Sequence, residues 1–124
     1  VGPDWITNME LLTKLEEKKD DNNFLQKFEE TKLSGKRKLA SYIHSKTNIL
    51  VDPSSLFDVQ VKRIHQYKRQ HLNALQIIAQ YIRIKNGSNN NEVPRTIIFG
   101  GKAAPGYFMA KLMIRFINGI ADVV

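Results

Sequence analysis

Cysteine is absent from the 124 residues, which excludes a disulfide framework and any thiolate metal site. No run of about 18 apolar residues occurs, so no membrane partner and no transmembrane helix are expected. His44, His65 and His71 form neither H-x-x-x-H nor H-E-x-x-H, which argues against a metal centre. G-x-S-x-G is missing as well, and with it a serine hydrolase elbow. Val1-Gly2-Pro3-Asp4-Trp5 is neither a signal peptide nor a basic transit segment. A soluble, cytoplasmic chain is the expectation. With 42% hydrophobic residues, one modest core is possible.

Acid is scarce in one half. Residues 1–60 carry 9 Lys/Arg and 10 Asp/Glu, whereas residues 61–124 carry 10 Lys/Arg against Glu92 and Asp122. The formal charge of +7 therefore belongs to the second half. Such an excess fits either an anionic partner or acidic partners in further parts of a larger protein. Glu92 and Asp122 are not placed as a glycosidase pair.

The first half reads as a helical segment, residues 1–53. Met9, Leu11, Leu12 and Leu15 recur at helix-like spacing between Thr7 and Lys19. Asp20-Asp21-Asn22-Asn23 supplies a turn and an N-cap. A second helix follows with Phe24, Leu25 and Phe28, and further along Leu39, Tyr42 and Ile43. Gly35 weakens this helix without breaking it. Lys36-Arg37-Lys38 reads as a solvated face. Pro53 disfavours helix at Asp52 and donates no backbone hydrogen bond, so the main boundary falls here.

Residues 54–124 change period. Leu56–Val61 alternates apolar and polar from Phe57 on and reads as a strand. A helix from about Lys68 to Lys85 follows, with Leu72, Leu75, Ile78, Tyr81 and Ile82 as its apolar set and Asn86-Gly87 as its C-cap. Ser88-Asn89-Asn90-Asn91 reads as a polar surface loop. Thr96–Phe99 reads as a strand covered on both faces. Gly100-Gly101 ends it. A last helix begins near Pro105, burying Phe108, Met109, Leu112, Met113, Phe116 and Ile117. Asp122-Val123-Val124 either starts another strand or trails off. Strand, helix, strand, helix describes an α/β chain: a βαβα half of a doubly wound, Rossmann-like sheet, an incomplete domain. Ligands of such sheets sit beyond the C-terminal strand ends, here at Val61-Lys62-Arg63 and Phe99-Gly100-Gly101.

Two motifs lie on that side. Lys62, Arg63, Lys68 and Arg69 place four permanent cations, with His65 among them, in eight residues. Like charges this close repel, and a multiply charged anion between them relieves the repulsion. Arginine offers phosphate a planar fork and lysine a compact charge. Tyr67 adds a hydroxyl able to bind a sugar hydroxyl. An ordinary solvated face and a nucleic-acid surface are the alternatives, since basic residues with an interleaved tyrosine also suit RNA or DNA. Gly100-Gly101-Lys102-Ala103-Ala104-Pro105-Gly106-Tyr107 matches neither G-x-x-x-x-G-K-[ST] nor G-x-G-x-x-G. It reads as a strand-to-helix turn with Pro105 in the first helical turn, and Lys102 is free to pair with a carboxylate outside the chain.

Ser54–Gln70 and Val93–Tyr107 closely resemble, at the family's separation, the signatures of glycogen and starch phosphorylases. The first half resembles the family more loosely. The resemblance implies a much longer enzyme, with two α/β domains of glycosyltransferase type B about a cleft. This chain would be the beginning of the C-terminal, nucleotide-binding-like domain. It implies release of glucose 1-phosphate from the non-reducing ends of α-1,4-glucan by inorganic phosphate. It also implies pyridoxal 5′-phosphate, used through its phosphate group. The full-length parent would be a cytoplasmic, allosteric homodimer. By the same resemblance, Lys62 contacts the cofactor phosphate, while Arg63 and Lys68 hold the substrate phosphate. Tyr67 touches the glucosyl unit, and His65 has a positioning role. Tyr107 resembles an aromatic that stacks on planar inhibitors. Gln66 stands where many members have glutamate, which makes the loop more positive. No motif like the Schiff-base lysine is present, so the isolated chain is expected to be inactive. A nucleic-acid module and an inert structural fragment are the rival expectations.

Overall fold

A computed structural model describes residues 1–87 and 93–124. The predicted loop at Ser88-Asn89-Asn90-Asn91 lies outside the described residues. The chain forms two compact units, Val1–Ser54 and Ser55–Val124.

The first unit opens with two 3₁₀ segments, Pro3–Ile6 and Met9–Lys18. The sequence predicts an ordinary helix over the second, but the winding is tighter. Met9, Leu12 and Leu15 lie three residues apart, so a three-residue period keeps them in one row. Helix α1 follows, Asn22–Thr47, and passes through Gly35 unbroken. Its start is set by the predicted cap. The Phe24 backbone N–H donates to Asp21 Oδ1 at 3.1 Å, satisfying one of the free donors of the first turn. Lys18 Nζ adds an ion pair to Asp21 at 3.2 Å. The helix ends on Asn48, whose left-handed φ of 59° lets its N–H reach the His44 carbonyl at 2.9 Å. Asparagine tolerates that conformation. Asp52 then accepts hydrogen bonds from the Ser54 N–H at 2.8 Å and from the Ser54 hydroxyl at 2.7 Å.

Asp21 carries a pH prediction. The Phe24 N–H, and after it the Lys18 ammonium, hold its carboxyl below the ordinary value. A carboxylate whose folded pKa is depressed contributes stability above its unfolded pKa, and loses it as pH falls through the folded one. Amide exchange over the first turn of α1 in the full-length parent should therefore quicken as pH drops below about 4, once intrinsic rates are corrected for. Asp21→Ala should show quick exchange there at every pH.

The second unit is an α/β unit. Strand β1 spans Leu56–Val61, helix α2 Gln70–Lys85, strand β2 Arg95–Gly100 and helix α3 Phe108–Ala121. The helical crossover permits β1 and β2 to pair in parallel. The register runs from Leu56↔Arg95 to Val61↔Gly100. Ser55 and Thr96 hydroxyls meet at 2.6 Å where the strands begin. Ile64, Ala110 and Met113 form a small core against which Ala103, Tyr107 and Ile114 pack. Ala74 and Ile77 of α2 are also buried. Asn86 caps α2 as expected, and Gly87 takes a left-handed φ of 70°.

Several expectations are corrected. Helix α2 starts at Gln70 rather than near Lys68, because a 3₁₀ turn, Gln66–Lys68, precedes it and Arg69 is left-handed. Its buried face is Gln70, Ala74, Ile77 and Gln80, while Leu72, Leu75 and Ile82 are exposed. Helix α3 starts after Pro105, which lies in the turn closed by Tyr107 N–H to Ala104 O. Its sequence is apolar nearly all round. Ala110 and Met113 are buried, whereas Phe108, Met109, Leu112 and Phe116 are exposed. Strand β2 is half-buried rather than fully covered. Of the two readings for residues 122–124, trailing off holds: they close a turn, Val123 N–H to Ile120 O, and form no strand.

Candidate functional site

Parallel pairing ends with Val61 beside Gly100, so the two loops that follow leave the sheet together. Their backbones stay joined: Lys62 N–H donates to Gly100 O at 2.9 Å and Ile64 N–H to Lys102 O at 3.1 Å. Gly101 is required by this approach. A side chain there would collide with the Lys62 carbonyl oxygen and crowd Ile64. The glycine turn is thus a joint between two loops, consistent with its mismatch to nucleotide-loop patterns.

The loops wall a cavity of about 340 Å³, lined among others by Arg63, His65, Tyr67, Lys68, Lys102 and Tyr107. Five of these six are named by the sequence analysis as site residues. Lys62, named with them, is exposed and does not line the cavity. Lys102 lines it instead. The signal for Lys102 was available, because it follows the second strand at the same edge as Arg63. Among the described residues, none of Lys62, Arg63, Lys68 and Lys102 stands in an ion pair. An ion pair of this unit, Arg95 to Asp58 at 4.0 Å, joins the two strands within the sheet. Cations grouped at one edge without carboxylates between them produce a positive local potential there.

Three rings shape the wall. The His65 ring lies 4.2 Å from Tyr67 and 5.0 Å from Tyr107, tilted against both. His65 Nδ1 accepts the Tyr67 backbone N–H at 3.4 Å. Lys68 Nζ lies 5.7 Å from the Tyr67 ring centre, within cation–π range. The Tyr107 hydroxyl donates to Gln66 Oε1 at 2.7 Å and receives the Gln66 backbone N–H at 3.3 Å. Tyr107 thereby ties the second loop to the first.

Beneath the first loop lie amides that the sequence analysis did not single out. Gln70 is fully buried. Its Nε2 donates to Arg63 O at 3.1 Å, and its Oε1 receives His65 N–H at 3.4 Å. Gln60 on β1 donates to Lys68 O at 3.4 Å and accepts from Asn73 of α2 at 3.0 Å. Arg69, at φ 58°, turns the chain from the loop into α2. A non-glycine residue in that region is uncommon and is held by its surroundings.

Fold and cleft together define an α/β chain with a cation-lined cleft at the carboxyl ends of its parallel strands. Comparison with known proteins narrows that class. The family model described as carbohydrate phosphorylase matches residues 1–124, and the chain belongs to that family. It is 55% identical over 124 residues to a glycogen phosphorylase of Synechocystis sp.. It is 49% identical to the muscle form of glycogen phosphorylase from Mus musculus and 47% identical to the liver form from Homo sapiens, each over 124 residues. All of this chain is covered in each comparison, and it spans 15% of the length of these relatives. The nucleic-acid and inert-fragment alternatives find no support in these likenesses.

Proposed function

We propose that this chain is the part of an α-1,4-glucan phosphorylase that holds phosphate beside the scissile glycosidic bond. The observation that carries the proposal is the convergence of Arg63 and Lys68 on one cleft at the sheet's carboxyl edge. Family membership and the names of the relatives supply the reaction. In this reading the second unit is the first βαβα part of a Rossmann-like, type B glycosyltransferase domain. Residues 1–53 form the helical segment before it.

Phosphorolysis breaks the bond between C1 of the terminal glucosyl unit and the bridging oxygen. C1 gains a bond to a phosphate oxygen, and the bridging oxygen leaves with a proton as the new chain end. The transition state has oxocarbenium character, as in glycoside hydrolysis, but the nucleophile is phosphate rather than water. A dianion must therefore be held close to a developing cation. Arg63 provides a fork of donors and Lys68 a point charge, which together orient the attacking oxygen. Tyr67 presents its hydroxyl to the glucosyl unit. His65, fixed by its bond from the Tyr67 N–H, keeps that loop in place. Tyr107 closes the far wall, where a planar molecule could stack.

The implied cofactor is pyridoxal 5′-phosphate. The donors at this edge suit its phosphate group: the Lys102 ammonium and Arg63 guanidinium line the cleft, and Lys62 stands next to Arg63 outside its lining, all without an ion-pair partner among the described residues. Lys62 would contact that group. The chemistry supplied when it is bound is proton donation and acceptance by the 5′-phosphate beside the substrate phosphate. Two phosphoryl groups at a few ångströms repel strongly in a partly dry cleft, and the cations at this edge offset that repulsion. A cytoplasmic homodimer under allosteric control belongs to the same proposal, supported by the family alone. Among the described residues no helix is long and apolar enough to cross a membrane. The test is glycogen incubated with the full-length parent and inorganic phosphate. Glucose 1-phosphate should form in proportion to phosphate supplied, and its absence would reject the proposal.

A further inference from the structure

We infer that Gln70, together with the Gln60–Asn73 pair, is a neutral amide scaffold that positions Arg63 and Lys68 for phosphate; this rests on the function proposed above. Gln70 has no exposed surface. Burying a primary amide is unfavourable unless its donor and acceptor are both used. Both are used, and on the same short stretch: Arg63 O at 3.1 Å and His65 N–H at 3.4 Å. These bonds bracket Ile64, whose side chain is in the core with Ala110 and Met113. The backbone beside Arg63 is thus fixed from two directions, by an amide on α2 and by an apolar anchor. The Arg63 side chain starts from a rigid root.

Lys68 is held at the other end of the loop by a different pair. Gln60 Nε2 meets Lys68 O at 3.4 Å while Gln60 Oε1 takes the Asn73 amide at 3.0 Å. The contact spans β1, the loop and α2. Immediately afterwards Arg69 adopts its left-handed φ of 58°, and its carbonyl accepts Leu72 and Asn73 N–H groups at 3.0 and 3.2 Å. The loop is consequently gripped at both of its phosphate-facing residues by side chains that are not themselves cations.

The choice of amide over carboxylate has a chemical reason. Glutamate at position 70 would accept from His65 N–H but could not donate to Arg63 O. It would also place an anion under the cations and reduce their attraction for phosphate. Amides hold the same geometry with no charge and no titration between pH 5 and 8. A displacement of about 1 Å at a positioned group can reduce turnover by about 100-fold, so a scaffold here acts on phosphate use more than on glucan use.

The experiment measures phosphorolysis by the full-length parent, varying phosphate and glucan separately. Gln70→Met should raise the KM for phosphate about 10-fold or more and leave the KM for glucan within about 2-fold. Gln70→Glu should do the same and in addition make the phosphate KM rise with pH. Gln60→Met and Asn73→Ala, milder changes, should each raise the phosphate KM about 3-fold, and they read the scaffold if the Gln70 variants fail to fold. Variants that lose folded protein while the remaining enzyme keeps its wild-type phosphate KM would show a purely structural role and overturn the scaffold alone. A wild-type parent without phosphate-dependent activity would overturn the proposed function, and the scaffold with it.

Discussion

Lys68→Ala in the full-length parent is expected to lower kcat/KM for phosphate by about 100- to 1,000-fold, the usual effect of removing one preorganised donor from a developing or bound anion. The loop backbone should survive the change. Lys68 meets Gln60 through its carbonyl, and its own N–H bonds to His65 O at 3.0 Å. Neither contact needs the side chain. The ammonium group is what disappears. The loss should therefore appear chiefly as weaker phosphate use, with glucan affinity little changed. Arginine at 68 restores the charge but not its compact shape, so partial recovery is expected. Arg37→Ala, on the exposed face of α1, serves as a control and should leave the kinetics unchanged. Phosphate kinetics equal to wild type in Lys68→Ala would remove this residue from the site.

The second large effect concerns the 124 residues by themselves. Expressed alone, they are expected to release no detectable glucose 1-phosphate and to form no covalent adduct with pyridoxal 5′-phosphate. A sheet of two strands is marginal in water without further strands or cover. Here large apolar side chains stand exposed, among them Leu72 and Leu75 on α2 and Phe108 and Leu112 on α3. The chain spans 15% of the length of its relatives, and the family resemblance puts the Schiff-base lysine in a later part of the pattern. Separated cations at one rim cannot by themselves enclose a glucan end and exclude water from it. An assay for glucose 1-phosphate, with absorbance and mass measurements for the cofactor adduct, checks both halves. Either activity in the purified fragment would contradict the prediction.

The sequence made β1 legible as a strand through the alternation from Phe57 to Val61, although Val59 and Val61 are exposed and Asp58 and Gln60 half-buried, and β2 because Thr96–Phe99 is short and apolar. The cap at Asp21 was legible from its place before a helical stripe. Burial on α2 was not. The pattern assigns Leu72 and Leu75 to a core, yet Gln70, Ala74, Ile77 and Gln80 are the buried ones. A hydrophobic pattern reports which residues prefer to leave water, not which partners a given unit supplies. The start of α2 was displaced because a 3₁₀ turn, closed by Lys68 N–H to His65 O and Arg69 N–H to Gln66 O, precedes it and leaves Arg69 left-handed. Charge crowding pointed to Lys62, Arg63, Lys68 and Arg69 alike; the family resemblance alone gave Arg63 and Lys68 the substrate phosphate, and of the four these two line the cleft. Lys102 was within reach of the same reading, since it follows the second strand on the predicted ligand side, and the parallel register that sets Gly100 beside Val61 brings its loop to theirs. Asn48 at the end of α1 was recognisable in principle, since asparagine after a helical stripe is a known left-handed cap.

The proposed role of the Lys62–Lys68 loop requires a phosphate anion to meet its side chains. A crystal structure of the full-length parent, holding pyridoxal 5′-phosphate and soaked with inorganic phosphate, tests this most directly. Guanidinium nitrogens of Arg63 and Nζ of Lys68 should lie about 2.7–3.2 Å from oxygens of one phosphate. Density for phosphate elsewhere, with both side chains turned to solvent, would contradict it.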